Sequence, residues 1–300
     1  IPLIHLNTQA SFSLNILKLK VKSMSDIRHN WTREEIVETY NKPLMELLYE
    51  AATVHRAYHD PNTVQVSTLI SIKTGGCPED CGYCPQAARY HTDIDGNELM
   101  SVQQVKAQAL RAKASGSSRV CMGAAWRNVK DGPEFDQVLE MVRTINKLEM
   151  EVCCTLGMLT ENQAKRLAEA GLYAYNHNLD TSEDYYRDVI STRAFEDRLE
   201  TIGNVRKTNV TVCSGGIIGM GESLEDRAGM LVALGTLDPQ LSVLVDKHGP
   251  ARWFKEYDRF LRSAEEGQVV LGRASKIVEH PAARGRSTAA DSIGDQRDLE

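Results

Sequence analysis

The sequence predicts an α/β fold, a (β/α) barrel of the TIM type that is incomplete after its fifth strand–helix unit. Two observations carry this. Five β-rich segments alternate with helical ones, which calls for a parallel sheet with helical crossovers. Residues with reactive side chains then fall on, or just after, every one of those strands. A barrel builds its site from the C-terminal ends of several strands, whereas an open sheet concentrates it at one switch point.

The elements follow in order. Residues 1–23 read as a foreign leader: the chain opens at Ile1, and Leu14–Lys22 alternates Leu, Ile and Val with Lys. A transit peptide would be rich in Arg, which this stretch lacks, so upstream sequence is favoured and little order is expected. Thr32 and Glu35 form a capping box, and Pro43 starts a second helix with Leu44, Leu47, Leu48 and Ala51 on one face. His55 and His59 stand four apart, a metal-binding spacing, but without a third ligand they read as solvated helix-end histidines.

The repeating units begin with a strand over Val64–Ile72, then a helix over Ser101–Ala114 stopped at Gly116. Arg119–Met122 is a strand and Phe135–Leu148 a helix with an apolar face. Met150–Leu156 is a strand, and Thr160–Ala170 a helix opened by Thr160 with Gln163 and closed at Gly171. Leu172–Leu179 is a strand, followed by helical Ser182–Ile190 and Ala194–Lys207. Val210–Cys213 is a strand, the glycine run 215–221 a strand-to-helix turn that lets a ligand approach the backbone, and Leu224–Leu237 a helix. The glycine run matches neither a phosphate-binding loop nor a dinucleotide fingerprint.

Composition narrows the function. The net charge is −6 with no basic block, which argues against nucleic acid or an anionic membrane as the main partner. A hydrophobic fraction of 42% supports a sizeable core, and no apolar run reaches spanning length. Seven cysteines in 300 residues are not a secreted disulfide framework and fit thiols or metal ligands in the cytoplasm.

Three of those cysteines, Cys77, Cys81 and Cys84, lie in Thr74-Gly-Gly-Cys-Pro-Glu-Asp-Cys-Gly-Tyr-Cys-Pro85 with the spacing C-x-x-x-C-x-x-C. Glycines and prolines allow one short loop to converge three thiolates, leaving a fourth position open. Structural zinc wants four ligands, commonly two C-x-x-C pairs, so an iron–sulfur cluster is favoured, with zinc and redox thiols as the alternatives. Cys121, Cys153, Cys154 and Cys213 are strand residues. Each alone is an ordinary small buried side chain. Together, Cys121, Cys153 and Cys213 suggest a second soft-metal site inside the barrel, and alternation allows only one of Cys153 and Cys154 to face it.

The loop resembles the signature of the radical S-adenosylmethionine (SAM) enzymes. The motifs Lys73–Cys81, Cys84-Pro-Gln86, Arg119–Trp126, Tyr175–Thr181 and Val212–Ile217 extend the resemblance over about residues 25–239, to the sulfur-inserting members of that family. The resemblance implies a [4Fe–4S] cluster on Cys77, Cys81 and Cys84, with SAM chelating its fourth iron and Tyr83 lying against the adenine. It implies a [2Fe–2S] cluster on Cys121, Cys153 and Cys213 with an arginine as fourth ligand, Arg119 nearby and Cys154 not a ligand. Asp180 would bind the SAM ribose, Asn178 both SAM and the ureido ring of dethiobiotin, and Arg198 the SAM carboxylate. The implied reaction reduces the first cluster, cleaves SAM to methionine and a 5′-deoxyadenosyl radical, and inserts a sulfide of the second between two unactivated carbons of dethiobiotin. No acid–base pair or nucleophilic triad is evident, in keeping with chemistry carried by cofactors. A flavodoxin or ferredoxin as electron donor and a homodimer are further implications. A carbon–carbon lyase or mutase of the same family would keep the loop without needing the strand cysteines; a zinc-binding structural protein is the alternative from another class.

After Pro239 the resemblance stops. The family's later strands, with a substrate-binding Asn and the arginine ligand, are not recognisable in 240–300, which reads as an atypical segment. It holds an apolar run, Leu241–Val245, a helical stretch, Trp253–Arg262, and a polar remainder in which no motif selects Arg252, Arg259, Arg262 or Arg273 as a ligand. Five strands would leave two sheet edges, a wetted lumen and a doubtful activity.

Overall fold

The computed structural model describes residues 28–237 and the backbone of 241–246. The leader expected at 1–23 and the helix expected at 253–262 lie outside the described residues, as do the four candidate arginines. The chain divides into two compact units. In the described part of the smaller, Pro43–Pro61, helix α2 spans Leu44–Tyr58, with Pro43 at its N-cap and none of its side chains buried. The His55 and His59 rings lie 5.3 Å apart near its C-terminus.

The larger unit holds the sheet. Helix α1, Arg33–Tyr40, starts with the expected capping box of Thr32 and Glu35. Strands β1 (Ser67–Lys73), β2 (Arg119–Ala124), β3 (Glu151–Thr155), β4 (Ala174–Asn176) and β5 (Thr211–Ile218) alternate with helices. These are α3 (Val102–Ala114), α4 (Pro133–Asn146), α5 (Glu161–Glu169), α6 (Tyr186–Val189), α7 (Phe195–Arg206) and α8 (Leu224–Leu237). Capping boxes at Ser101–Gln104 and Thr160–Gln163 open α3 and α5 by satisfying free N–H groups of the first turn. Gly116 and Gly171 follow α3 and α5 at positive φ, 88° and 87°.

Two expectations are corrected. A sixth strand, β6 (Leu241–Asp246), pairs parallel with β5 from Cys213↔Leu241 to Ile218↔Asp246, so the sheet does not stop at the fifth unit. The apolar Leu-Ser-Val-Leu-Val run carries no motif, but its backbone satisfies the N–H and C=O groups that β5 presents on that side. Strand β5 also runs through Gly215 and Gly216 to Ile218, where a turn had been expected; the turn begins at Gly219, φ 83°. At Gly216 a Cβ would come 1.9 Å from Sδ of Met230 and 3.1 Å from the Asp180 carbonyl, so the protein's own packing, rather than a ligand, requires glycine there.

All six strands are parallel, in the order β1-β2-β3-β4-β5-β6, and among the described residues β1 and β6 each have one neighbour. The core lies on one face of the sheet. Ile70, Ile72, Val120, Met122, Val152, Cys154, Tyr175 and Val212 are buried there, in one cluster with Val105, Phe135, Val142, Ile145, Leu167 and Ile202 of the helices. Alternation sends Cys121 and Cys153 to the opposite, inner face, together with Leu69, which is 73% exposed. No helix among the described residues is long and apolar enough to cross a membrane.

Candidate active site

The loop after β1 is shaped by Gly75 and Gly76, at φ 75° and 69°. A Cβ on Gly75 would meet Cα of Gly96 at 3.0 Å. Gln86 closes the loop: its carbonyl accepts from Cys77 N at 3.0 Å and its side chain from Gly75 N at 3.2 Å. Cys84 N donates to the Cys81 carbonyl at 2.9 Å, folding the C-x-x-C half into a turn. Cys81 is buried, and Cys77 and Cys84 are half-buried. Burial pushes all three thiols up, Cys81 to about 12, against the pull of the nearby Arg193 charge. Among the described residues, no three His, Cys, Asp or Glu side chains close around a point the size of a single ion.

Beside this loop stand the residues expected to hold SAM. Asp180, just past β4, has φ 70°, and its carbonyl accepts from Ile217 N at 2.7 Å, tying it to β5. Its carboxylate accepts from Nη2 of Arg198, whose Nε donates to the Tyr186 hydroxyl at 3.0 Å. Burial is the largest influence and works against the Arg198 charge, but the Asp180 carboxylate together with Tyr83, Tyr186 and Cys81 outweighs it, so the guanidinium holds its proton above the ordinary range. Tyr83 packs against the core, and burial, with the Asp180 charge, pushes its hydroxyl well up.

The strand cysteines form a second group. Cys121 and Cys153 are register partners, and a hydrogen bond from the Cys153 thiol lowers the pKa of Cys121 while raising that of Cys153. Cys213 is raised by burial and eased by Asn176, whose Nδ2 donates to its sulfur at 3.2 Å. The same amide group donates to Oδ1 of Asn178 at 3.2 Å, so Asn176 links the upper residues to the strand thiols. Arg119 is close enough to Cys121 and Cys213 to favour their thiolates, and pairs with Glu151 at 2.7 Å. Cys154 faces the core with Met122 and Tyr175 as register partners, and burial pushes its thiol far up. The structure thus separates Cys154 from the other three strand cysteines, as alternation predicts.

Sequence reasoning missed several participants. Arg193 is buried at 7% exposure, and its Nη2 donates to the Cys81 sulfur at 3.5 Å. Glu79 and Asp80 lie inside the cysteine loop at 3% and 0% exposure. His177 is buried and its Nε2 has no partner; burial and the charges of Arg198 and Arg193 hold its pKa far down, so the ring is neutral. The available signal was two adjacent carboxylates set between thiols, since such a pair must find cations or donors elsewhere in the fold.

The donor set fits an iron–sulfur cluster. Three soft thiols lie in one loop, and the buried Arg193 guanidinium donates to one of them through Nη2 while its Nε has no hydrogen-bond partner.

The comparisons agree. Residues 71–234 match the Radical SAM superfamily. The chain is 87% identical to a biotin synthase of Flavobacterium psychrophilum over 217 residues, which are 72% of this chain and 60% of that protein. It is 58% identical to a biotin synthase of Sorangium cellulosum over 255 residues, 82% of this chain and 73% of the relative, a longer match than the expected 25–239. The chain spans about 60% of the length of the Flavobacterium relative. Among solved structures, methylornithine synthase is similar with a TM-score of 0.61 at 18% identity, covering 72% of this chain and 64% of that one. The hydrogenase maturase HydG is similar with a TM-score of 0.60 at 16% identity, covering 72% and 51%. These two likenesses concern the fold. The family match and the relatives' identities show that this chain belongs to the radical SAM superfamily and, within it, to the biotin synthase family.

Proposed function

We propose that this chain is the SAM-cleaving and sulfur-donating part of a biotin synthase, acting on dethiobiotin. The observation that carries the reading is the presence of two thiol groups, one in the loop and one on the inner face of the sheet, with Asn176 tying Cys213 of the second group to Asn178. A radical SAM lyase or mutase has use for the first group alone. In this reading Cys77, Cys81 and Cys84 hold a [4Fe–4S] cluster, and Cys121, Cys153 and Cys213 hold a [2Fe–2S] cluster. Bound there, the clusters and SAM would supply the electron, the carbon-centred radical and the sulfur.

The protein's own residues bind and shield. Tyr83 offers a flat face to the adenine, Asp180 a pair of acceptors to the ribose diol, and Arg198 a fork to a carboxylate. Asn178 can both donate to and accept from a ureido ring. Binding through Asp180 and Arg198 would exchange the ion pair they make with each other for contacts to SAM. All seven cysteines are unpaired, which supports a reducing, cytoplasmic setting. The family resemblance adds a flavodoxin or ferredoxin as electron source and a homodimer as the assembly.

The test is anaerobic reconstitution with iron and sulfide, then mass spectrometry for 5′-deoxyadenosine and biotin after adding reductant, SAM and dethiobiotin. Both products are expected if the strand thiols find their fourth ligand within the chain. Deoxyadenosine alone would confine the proposal to the loop site. Neither product, from iron-loaded protein, would overturn it.

A further inference from the structure

We propose that Arg193 tunes the reduction potential of the cluster on Cys77, Cys81 and Cys84: its guanidinium donates to the Cys81 sulfur, and Glu79 and Asp80 fasten the segment that carries it. The inference rests on the cluster assignment under Proposed function and adds a residue to it.

Cys81 and Arg193 are 112 positions apart, and Nη2 reaches Sγ at 3.5 Å with both residues buried. The contact is held from both sides. Asp80 accepts through Oδ1 from the backbone N–H groups of Ser191, at 2.9 Å, and Thr192, at 3.1 Å. Its Oδ2 accepts from the Ser191 hydroxyl and from Nη1 of Arg89, at 2.8 Å. The Thr192 hydroxyl donates to Glu79, and the Thr192 carbonyl accepts from Arg127. Two consecutive carboxylates of the cysteine loop therefore grip the two residues that precede Arg193.

A simpler role for Arg193 would be to neutralise Glu79. The distances argue against it. Glu79 already has Arg127 at 3.0 Å and Thr192, whereas Nε of Arg193 stands 3.9 Å from Glu79, beyond hydrogen-bond reach, and has no partner. The directed bond of Arg193 goes to sulfur. A positive donor at a cluster ligand favours the reduced, more negative cluster, and it does so strongly where water is excluded.

The experiment is a potentiometric EPR titration, without SAM, of the reconstituted full chain and its Arg193→Gln and Arg193→Lys variants, with iron and sulfide counted per chain. R193Q leaves Glu79 paired with Arg127, so the loop keeps its internal charge balance. Its one-electron reduction should become about tenfold less favourable, a fall of ~59 mV. R193K keeps the charge and should fall about threefold. Equal potentials in all three proteins would overturn the inference. Should R193Q take up no iron, R193K decides: a fall supports the proposal and an unchanged potential overturns it. A parent chain that builds no [4Fe–4S] cluster would overturn the cluster assignment and this inference together, whereas a cluster indifferent to residue 193 would overturn the inference alone.

Discussion

Asp180 and Arg198 form an ion pair at 2% and 5% exposure, the carboxylate presented from just past β4 and the guanidinium from α7. Removing one partner strands the other charge in a place with little water. Arg198→Ala and Asp180→Asn should each cost about 3–5 kcal/mol, read as a lower urea midpoint. The double variant D180N/R198A should cost clearly less than the sum, because it removes both charges. Additive losses would show that the pair is not coupled. Both single variants should also lose SAM binding, measured by equilibrium dialysis on the reconstituted protein.

The cysteines should divide into three classes. Cys77→Ala, Cys81→Ala or Cys84→Ala should remove the [4Fe–4S] signal and all deoxyadenosine. Cys121→Ala, Cys153→Ala or Cys213→Ala should leave deoxyadenosine formation and abolish biotin. Cys154→Ala should leave iron content unchanged, at a stability cost of about 1 kcal/mol for a small buried void. Loss of iron from C154A would contradict its place among the core residues of the outer face.

Two glycines offer opposite outcomes. Gly216→Ala drives a methyl into the Met230 sulfur and should cost about 1–3 kcal/mol. Gly203→Ala, inside α7 with nothing within 4 Å of the added Cβ, should stabilise by about 0.5–1 kcal/mol through helix propensity. Thermal denaturation of the two variants in parallel checks both signs.

Glu161, in the first turn of α5, is held to about 2 by hydrogen bonds and charge from Lys165 and Lys207, each at 2.7 Å. Its folded pKa lies below the ordinary 4.5. The contribution is therefore complete above that value and lost as pH falls toward about 2. The acid limb of the stability curve should flatten in Glu161→Gln. High salt should shrink the difference between the two proteins, because the carboxylate is exposed.

The strand–helix alternation, the capping boxes at Thr32 and Thr160, the cysteine loop and the division of Cys153 from Cys154 were legible in the sequence. Each rests on local spacing: a period of two, a period near 3.6, or a motif within one loop. The motif from Tyr175 to Thr181 likewise marked Asn178 and Asp180, although no local rule could show that Asp180 and Arg198 hold each other.

What the tertiary structure alone decided depends on residues far apart in sequence. Strand β6 needed the side of β5 as its partner before its short apolar run could be read as a strand. Gly216 needed Met230 and Asp180 to explain it. Arg193 had no motif at all; it became visible only when Glu79 and Asp80 drew Ser191 and Thr192 against the cysteine loop. The sequence by itself determined the alternation of the first five strands with their helices and which thiols could be ligands, because those follow from local periodicity and donor chemistry. The fold decided which charges stand beside those thiols, because buried carboxylates must be satisfied by whatever donors the packing brings to them.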